Sequence, residues 1–429
     1  MRTKVIATRW QLGWVALLMV VSGGCVTNPV TGQREIRLIS PEEEISLGQE
    51  YFAPTQQLQG GPMVLFPEVT RYVAEVGRRL AAVSDRPGLP YEFVVVNSDE
   101  ANAWALPGGK IAVHRALLTE LDDEAELAAV LAHEIVHAAA GHSAQAMQRG
   151  TVLQLGLGML SSMIQNSLYS PLYNLGANLA GQVIMQSYSR SQESEADHYG
   201  MIMMRRAGYD PSAAVDLQET FVRLSQGQEP GVLGALFQSH PPSSARVRAN
   251  RALLQKIGAG GIRGRQRYHD HLAALFHAKP AYDLHIQAQR HIKEKDYAQA
   301  QRLESQAQAA LPGEALFPMT LGDIAMAKQD YDTAFQWYSK ATNLNGKYFL
   351  PPFLAGLAAF KASKPDSAQR YLQQSLDILP TAEAHYLLGR LALQKGHIET
   401  AIGHLKVAAQ SQGQVGQAAR ALLAQMGVF

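Results

Sequence analysis

Small residues return at a fixed step through the last third of this 429-residue chain. Tyr297, Ala300 and Ala307 are followed 34 residues later by Tyr331, Ala334 and Ala341, and Ala368 and Ser375 follow at 34 again. Gly322, Gly356 and Gly389 keep nearly the same step, 34 and then 33. A small residue recurring with this period marks the place where two antiparallel helices of one unit touch closely, and a unit too thin to bury its own apolar face must stack on the next. Leu311-Pro312 and Leu379-Pro380 mark unit ends. The pattern predicts an α-helical solenoid over residues 280–429.

The remaining residues are enough for at least one further domain, and a hydrophobic content of 47% is ordinary for a globular chain. With 38 basic and 37 acidic residues, and no basic run beyond Arg263-Gly-Arg265-Gln-Arg267, a nucleic-acid partner is not expected. Arg2, Lys4 and Arg9 precede an apolar run from Leu12 to Val21 that is too short to span a bilayer comfortably. Residues 1–25 therefore read as an export signal. Cys25, the only cysteine, follows Ser22-Gly23-Gly24 and reads as a lipobox, although Ser22 stands where leucine is usual. Plain signal cleavage nearby is the competing reading. On the first reading the chain is periplasmic and held at the outer membrane through Cys25. Either way it has no disulfide, and its stability must come from packing and metal.

Asn28-Pro29-Val30-Thr31-Gly32 reads as a turn-rich tether. Ser40-Pro41-Glu42-Glu43 supplies an N-cap, a first-turn proline and a capping-box carboxylate for a helix to about Tyr51. Val69, Tyr72, Val73, Val76 and Leu80 form one stripe of a helix over 68–82. Tyr91 to Val96 reads as a strand, and Asn102 to Val113 as two extended pieces about Pro107-Gly108-Gly109. From Thr151 to Gln186 the chain is apolar but interrupted by polar residues, glycines and Pro171. That favours soluble helices or a lid, with contact to a membrane surface as the alternative. Gly258 to Gly264 begins a linker over 258–279.

His133-Glu134-Ile135-Val136-His137 carries the chemistry. Asp122 or Asp123 can cap a helix in which Leu127, Val130, Leu131 and Ile135 recur at helical spacing. On that helix the two histidines stack on one face, where both rings can point at one cation. Glu134 then lies beside the cation, placed to accept a proton from water and pass it to a leaving amine. Two histidines need a third ligand. Seven and ten residues after His133 stand Ala140 and Ser143, not the glycine and histidine of a metzincin, and His142 on an unbroken helix points away as a structural or outer residue. The outstanding candidate is Glu193-Ser-Glu195-Ala-Asp197, where Glu193 and Asp197 share a helix face. Glu193 would bind the metal while Asp197 accepts the N–H of a ligand histidine; Glu195 faces elsewhere. An acidic helix turn is as often a solvated face, and both readings stand at this point.

HEIVHAAAGH at 133–142 and ESEAD at 193–197, preceded by NPVTGQREI at 28–36 and NAWALPGGKIAV at 102–113, resemble the zinc metallopeptidases of the HtpX and CaaX prenyl-protease type. With the export signal and the repeats, the likeness is to their periplasmic BepA-like branch, over about 28–255 for the peptidase and 280–429 for tetratricopeptide repeats. The resemblance implies one Zn2+ per chain on His133, His137 and Glu193, Glu134 as general base, and Asp197 behind a ligand histidine. It makes Asn102, Ala103, Gly108 and Gly109 part of an edge strand that pairs an extended substrate backbone. Ser239-His240-Pro241 and Arg246 match the family as well. His240 would occupy the open coordination position as a plug, or be a plain loop histidine; Arg246 would stabilise an oxyanion or pair with a carboxylate. The fold implied is mainly α with a small β-sheet: a zincin-type metallopeptidase domain over 26–257, then a linker and the repeat solenoid. The expected function is a zinc endopeptidase of the bacterial envelope that cleaves extended or misfolded outer-membrane polypeptides, its repeats recruiting substrate or assembly machinery. The alternative is a chaperone-like assembly factor acting through the repeats, with latent protease activity.

Overall fold

The computed structural model describes residues 25–37, 39–148, 188–225, 231–411 and 413–428. The apolar run before Cys25 and the expected lid or membrane contact at 151–186 lie outside the described residues. Among the described residues no helix is long and apolar enough to cross a membrane.

The expected tether is a hairpin. Strands β1 (Cys25–Thr27) and β2 (Arg34–Ile36) pair antiparallel, and Asn28 in the connecting turn donates its side-chain amide to the Ala140 carbonyl at 3.0 Å. Helix α1 (Pro41–Leu58) starts on the Ser40 and Glu43 capping box and runs past Tyr51. Helix α2 (Pro67–Ala81) buries the Val69, Tyr72, Val73, Val76 and Leu80 stripe.

Three short strands make the central sheet: β3 (Glu92–Val96), β4 (Ala103–Leu106) and β5 (Lys110–His114), in the order β3-β5-β4. Strands β3 and β5 are parallel and β4 is antiparallel to β5, so β4 lies at one edge of the sheet. Side chains alternate between its faces as the pleat requires. Phe93, Val95, Ala103, Ala105, Ile111 and Val113 join the main core, while Val96, Trp104, Leu106 and Ala112 pack with Phe52 of α1. The metal-site helix α3 (Glu124–Ala139), capped by Asp123, is buried along nearly its whole length. Helices α4 (Arg190–Arg206), α5 (Ser212–Ser225) and α6 (Ser244–Ile257) also belong to this half.

Gly258 to Gly264, expected as a linker, is pinned. Asp210 and Ile262 exchange backbone bonds with their neighbours, Ala125 N–H donates to the Arg263 carbonyl at 3.0 Å, and Arg263 pairs with the capping residue Asp123 at 2.7 Å. The glycines here are composition of a tight path around the start of α3, not of a free spacer.

The solenoid consists of helices α7 (Ala273–Lys293), α8 (Tyr297–Ala310), α9 (Leu316–Ala327), α10 (Tyr331–Leu344), α11 (Leu350–Lys361), α12 (Pro365–Ile378), α13 (Ala382–Gln394), α14 (Ile398–Ala408) and α15 (Gln414–Gln425). The periodic glycines sit where the paired helices touch: a Cβ on Gly322, Gly356 or Gly389 would lie 2.6, 2.7 or 2.8 Å from Tyr338, Leu372 or Leu405. Ala300, Ala334 and Ala368 are fully buried at the equivalent places.

Glu383, near the start of α13, is buried, and desolvation raises its pKa from 4.5 to about 7. The folded protein thus holds this proton more tightly than the unfolded chain. The resulting contribution to stability is fully present below about pH 4.5 and is lost as the pH rises to about 7. We predict that Glu383→Gln gains stability relative to wild type across that window and holds the gain above it, as read by urea unfolding at a series of pH values.

Candidate metal centre and active site

Helix α3 projects His133 and His137 one turn apart, with their Nε2 atoms 3.0 Å from each other. Gly200 on α4 lets the second helix lie against the backbone of α3 at His133, where a Cβ would already be in contact at 3.4 Å. The Ser189 and Gln192 capping box fixes the start of α4 and so places Glu193 in its first turn. Glu193 reaches the cluster: its oxygens are 3.4 Å from His137 Nε2 and 3.5 Å from His133 Nε2. His240, at the end of the short helix Gly234–Ser239, brings Nδ1 to 3.0 Å from Glu193 and 3.2 Å from His133 Nε2. One ligand atom from each of His133, His137, Glu193 and His240 lies within 4.8 Å of all the others.

Both imidazoles of α3 are oriented from behind. His133 Nδ1 meets Asp197 at 3.1 Å, and His137 Nδ1 meets His142 Nδ1 at 2.9 Å. The second contact corrects the expectation of an unbroken helix. Gly141, with φ of 72°, turns the chain at the end of α3 and returns His142 to the ring of His137. A left-handed residue is what a helix end of this kind needs, and glycine takes it without strain. Glu195 then pairs with the far nitrogen of His142 at 3.3 Å, and is no ligand here.

Arg246 of α6 is a carboxylate partner. Its guanidinium donates to Asp197 at 2.6 and 2.7 Å and pairs with Glu193 at 2.8 Å, while Nη1 also meets the Pro241 carbonyl at 3.1 Å. In this arrangement the guanidinium is committed to two carboxylates rather than free to meet an oxyanion alone. The fork neutralises the two carboxylates that would hold and orient the ligands.

Charge follows burial and partners. Burial opposes charging His133, but Glu193 and Asp197 outweigh it and raise its pKa to about 10. Burial drives His137 well down, and pushes the Glu134 carboxyl up against the pull of His240 and His133. Glu193 is held well below its ordinary value because His240 and His133 overcome its desolvation. Three imidazoles and a carboxylate whose donor atoms converge at such separations, with Glu134 Oε2 buried and unpartnered beside them, suit a cation better than a set of protons. The nitrogen and oxygen donor set fits zinc.

Asn102 and Ala103 lie at the start of β4, as expected for an edge strand. Gly108 and Gly109 do not: they form the turn beyond it, where their positive φ is needed and a Cβ would strike Ile45 or Tyr91. Two neighbours of the site carried no sequence signal. Tyr188 stacks on His137 with ring centroids 3.6 Å apart, and Ser143 bonds both the Tyr188 hydroxyl at 2.9 Å and the Ala105 carbonyl at 2.8 Å. Each is a single residue with no motif around it.

Residues 67–254 match the model of peptidase family M48, and residues 287–347 and 353–415 match the tetratricopeptide repeat. Among curated proteins, the chain is 33% identical to the beta-barrel assembly-enhancing protease of Escherichia coli K12 over 236 residues, 52% of this chain and 47% of that one. It is 35% identical to the protein of the same name from Yersinia pestis over 181 residues, 41% of this chain and 37% of the other. It is 33% identical to the mitochondrial metalloendopeptidase OMA1 of Schizosaccharomyces pombe, over 51% of this chain and 64% of the relative. The matched region is thus less than two thirds of each of these relatives. With an HExxH helix, a glutamate from a later helix and stacked helical pairs behind them, this chain carries a peptidase family M48 domain followed by tetratricopeptide repeats.

Proposed function

We propose that this chain is a zinc-dependent endopeptidase, with His133, His137 and Glu193 holding the metal and Glu134 acting as general base. Zinc supplies Lewis-acid polarisation and acidifies water at such a site. Glu134, beside the ligands but not among them, accepts the proton of the attacking water and delivers it to the departing amine. Asp197 and Arg246 keep His133 and Glu193 in place through this proton transfer. The observation that carries the reading is the convergence of the α3 histidines with Glu193 of α4 at a buried carboxylate, Glu134.

His240 favours a resting state that is closed. Its Nε2 lies 3.4 Å from Glu134 and its Nδ1 3.0 Å from Glu193, so one ring stands between the base and the proposed ligand. This supports a peptidase held latent until its substrate arrives. It also keeps open a role for the repeats as a chaperone-like assembly surface. In this reading the peptidase part is 26–257 and the repeat part 280–429. The substrate is an extended or misfolded outer-membrane polypeptide, a reading in keeping with relatives named as beta-barrel assembly-enhancing proteases, and assembly machinery binds the repeats. The signal-like N-terminus supports a periplasmic location with an anchor at Cys25.

The test uses the full chain with zinc and β-casein as an unfolded substrate. We expect cleavage that a chelator stops and added zinc restores. Cleavage that survives complete metal removal would end the proposal. If the Glu134→Gln chain restores outer-membrane assembly to cells lacking the protein, the chaperone reading gains over the peptidase one.

A further inference from the structure

Asn102 ties the edge strand to the loop that carries His240. Its backbone carbonyl accepts from His114 N–H at 2.8 Å, which directs the backbone groups of 102, 104 and 106 into the sheet. The groups of Ala103 and Ala105 therefore point outward along the edge, and the Ala105 carbonyl indeed receives the Ser143 hydroxyl. At the other end of the edge, Ala103 N–H donates to Asn102 Oδ1 at 2.9 Å. That same oxygen faces the Ser239 hydroxyl at 3.1 Å, one residue before His240. The hydroxyl also faces the Ala235 and Leu236 carbonyls of its own helix at 3.1 and 3.2 Å, so among the described residues Asn102 is its one acceptor outside that helix. Nearby, Ala101 N–H donates to the Val232 carbonyl at 2.8 Å, a second tie between the two loops. Asn102, Ser239 and His240 are all buried.

We propose that Asn102 is a positioning residue that holds the His240 loop closed, and that a substrate backbone releases it by taking the Ala103 N–H. The inference rests on the endopeptidase reading with strand addition at β4. A substrate strand docking there needs a carbonyl on the Ala103 N–H, which is the group that Asn102 Oδ1 occupies. Once the side chain is displaced, Ser239 keeps only the carbonyls of its own helix, and the tether across to the sheet is gone. Pairing at the edge and removal of the His240 ring from between Glu134 and Glu193 then become one event. Peptides too short to reach Ala103 would meet a closed site.

Hydrogen exchange on the zinc-loaded full chain tests this, with β-casein cleavage measured alongside. Without substrate, Asn102→Ala is expected to raise exchange of the amides of 234–240 about fivefold, the order expected for losing one buried hydrogen bond. It is also expected to lower KM for β-casein more than it changes kcat. Asn102→Asp keeps an acceptor oxygen at the same place and is expected to restore slow exchange, which separates the latch from a general loss of folding. Unchanged exchange of 234–240 in Asn102→Ala overturns the latch. So does fast exchange in Asn102→Asp equal to that in Asn102→Ala. If wild type fails to cut β-casein, the endopeptidase reading fails, while the exchange result still decides whether Asn102 holds the loop.

Discussion

Glu134→Gln abolishes peptide cleavage while leaving the metal in place. A positioned general base contributes about 10²- to 10⁴-fold to such a reaction, so kcat for β-casein is expected to fall by at least the lower figure. The substitution keeps the shape of the side chain and removes only its ability to take a proton. Glu134 is buried, has one unpartnered oxygen, and is pushed by burial toward its neutral form, so a neutral amide does not strain the fold. Unfolding of the variant should therefore match or exceed wild type. Zinc content unchanged together with native cleavage rate would remove Glu134 from the chemistry.

Arg115→Met weakens the junction between peptidase and repeats by about 3 to 5 kcal/mol, the cost typical of removing one partner from a buried ionic group. Arg115 is buried, pairs with Asp99, donates to Asn97 at 2.8 Å and stacks 3.5 Å over the ring of Tyr282 on α7. Around it, Asn97 and Tyr282 both bond Glu314, and His285 of α7 bridges Asp99 at 3.2 Å and Glu304 of α8 at 2.8 Å. Arg115 and His285 hold the Asp99 carboxyl well below its usual range, and Asp99 with Glu304 hold His285 well above its own. Removing the guanidinium leaves this acid with one cation. Urea unfolding of Arg115→Met, of Asp99→Asn and of the two combined measures the coupling; the pair should recover a good part of the loss. A change below about 1 kcal/mol in the single variant would mean the junction is held by its apolar contacts instead.

What was legible in the sequence came from residues whose spacing is set by local geometry. The 34-residue recurrence of Gly322 and Gly356 follows from helices crossing too closely for a side chain, and His133 with His137 from the pitch of one helix. Glu193 and Asp197, four residues apart on α4, stood out for the same reason, but spacing alone left a solvated face as the equal alternative. The rest depended on tertiary placement. Gly258 to Gly264 has the composition of a spacer, yet Asp123 and Asp210 bind it from far along the chain. Gly141 alone decides that His142 returns to His137, a consequence of one left-handed residue that a helical-wheel argument misses. The junction gathers Asn97, Asp99, Arg115, Tyr282, His285, Glu304 and Glu314 with no common period, so nothing in their order announces it.

The zinc content of the full chain and of two single variants tests the central assignment most directly. Glu193 approaches both α3 histidines, whereas Glu195 faces His142. The account predicts one zinc per wild-type chain, loss of that zinc in Glu193→Gln and its retention in Glu195→Gln. Full zinc in Glu193→Gln would contradict it.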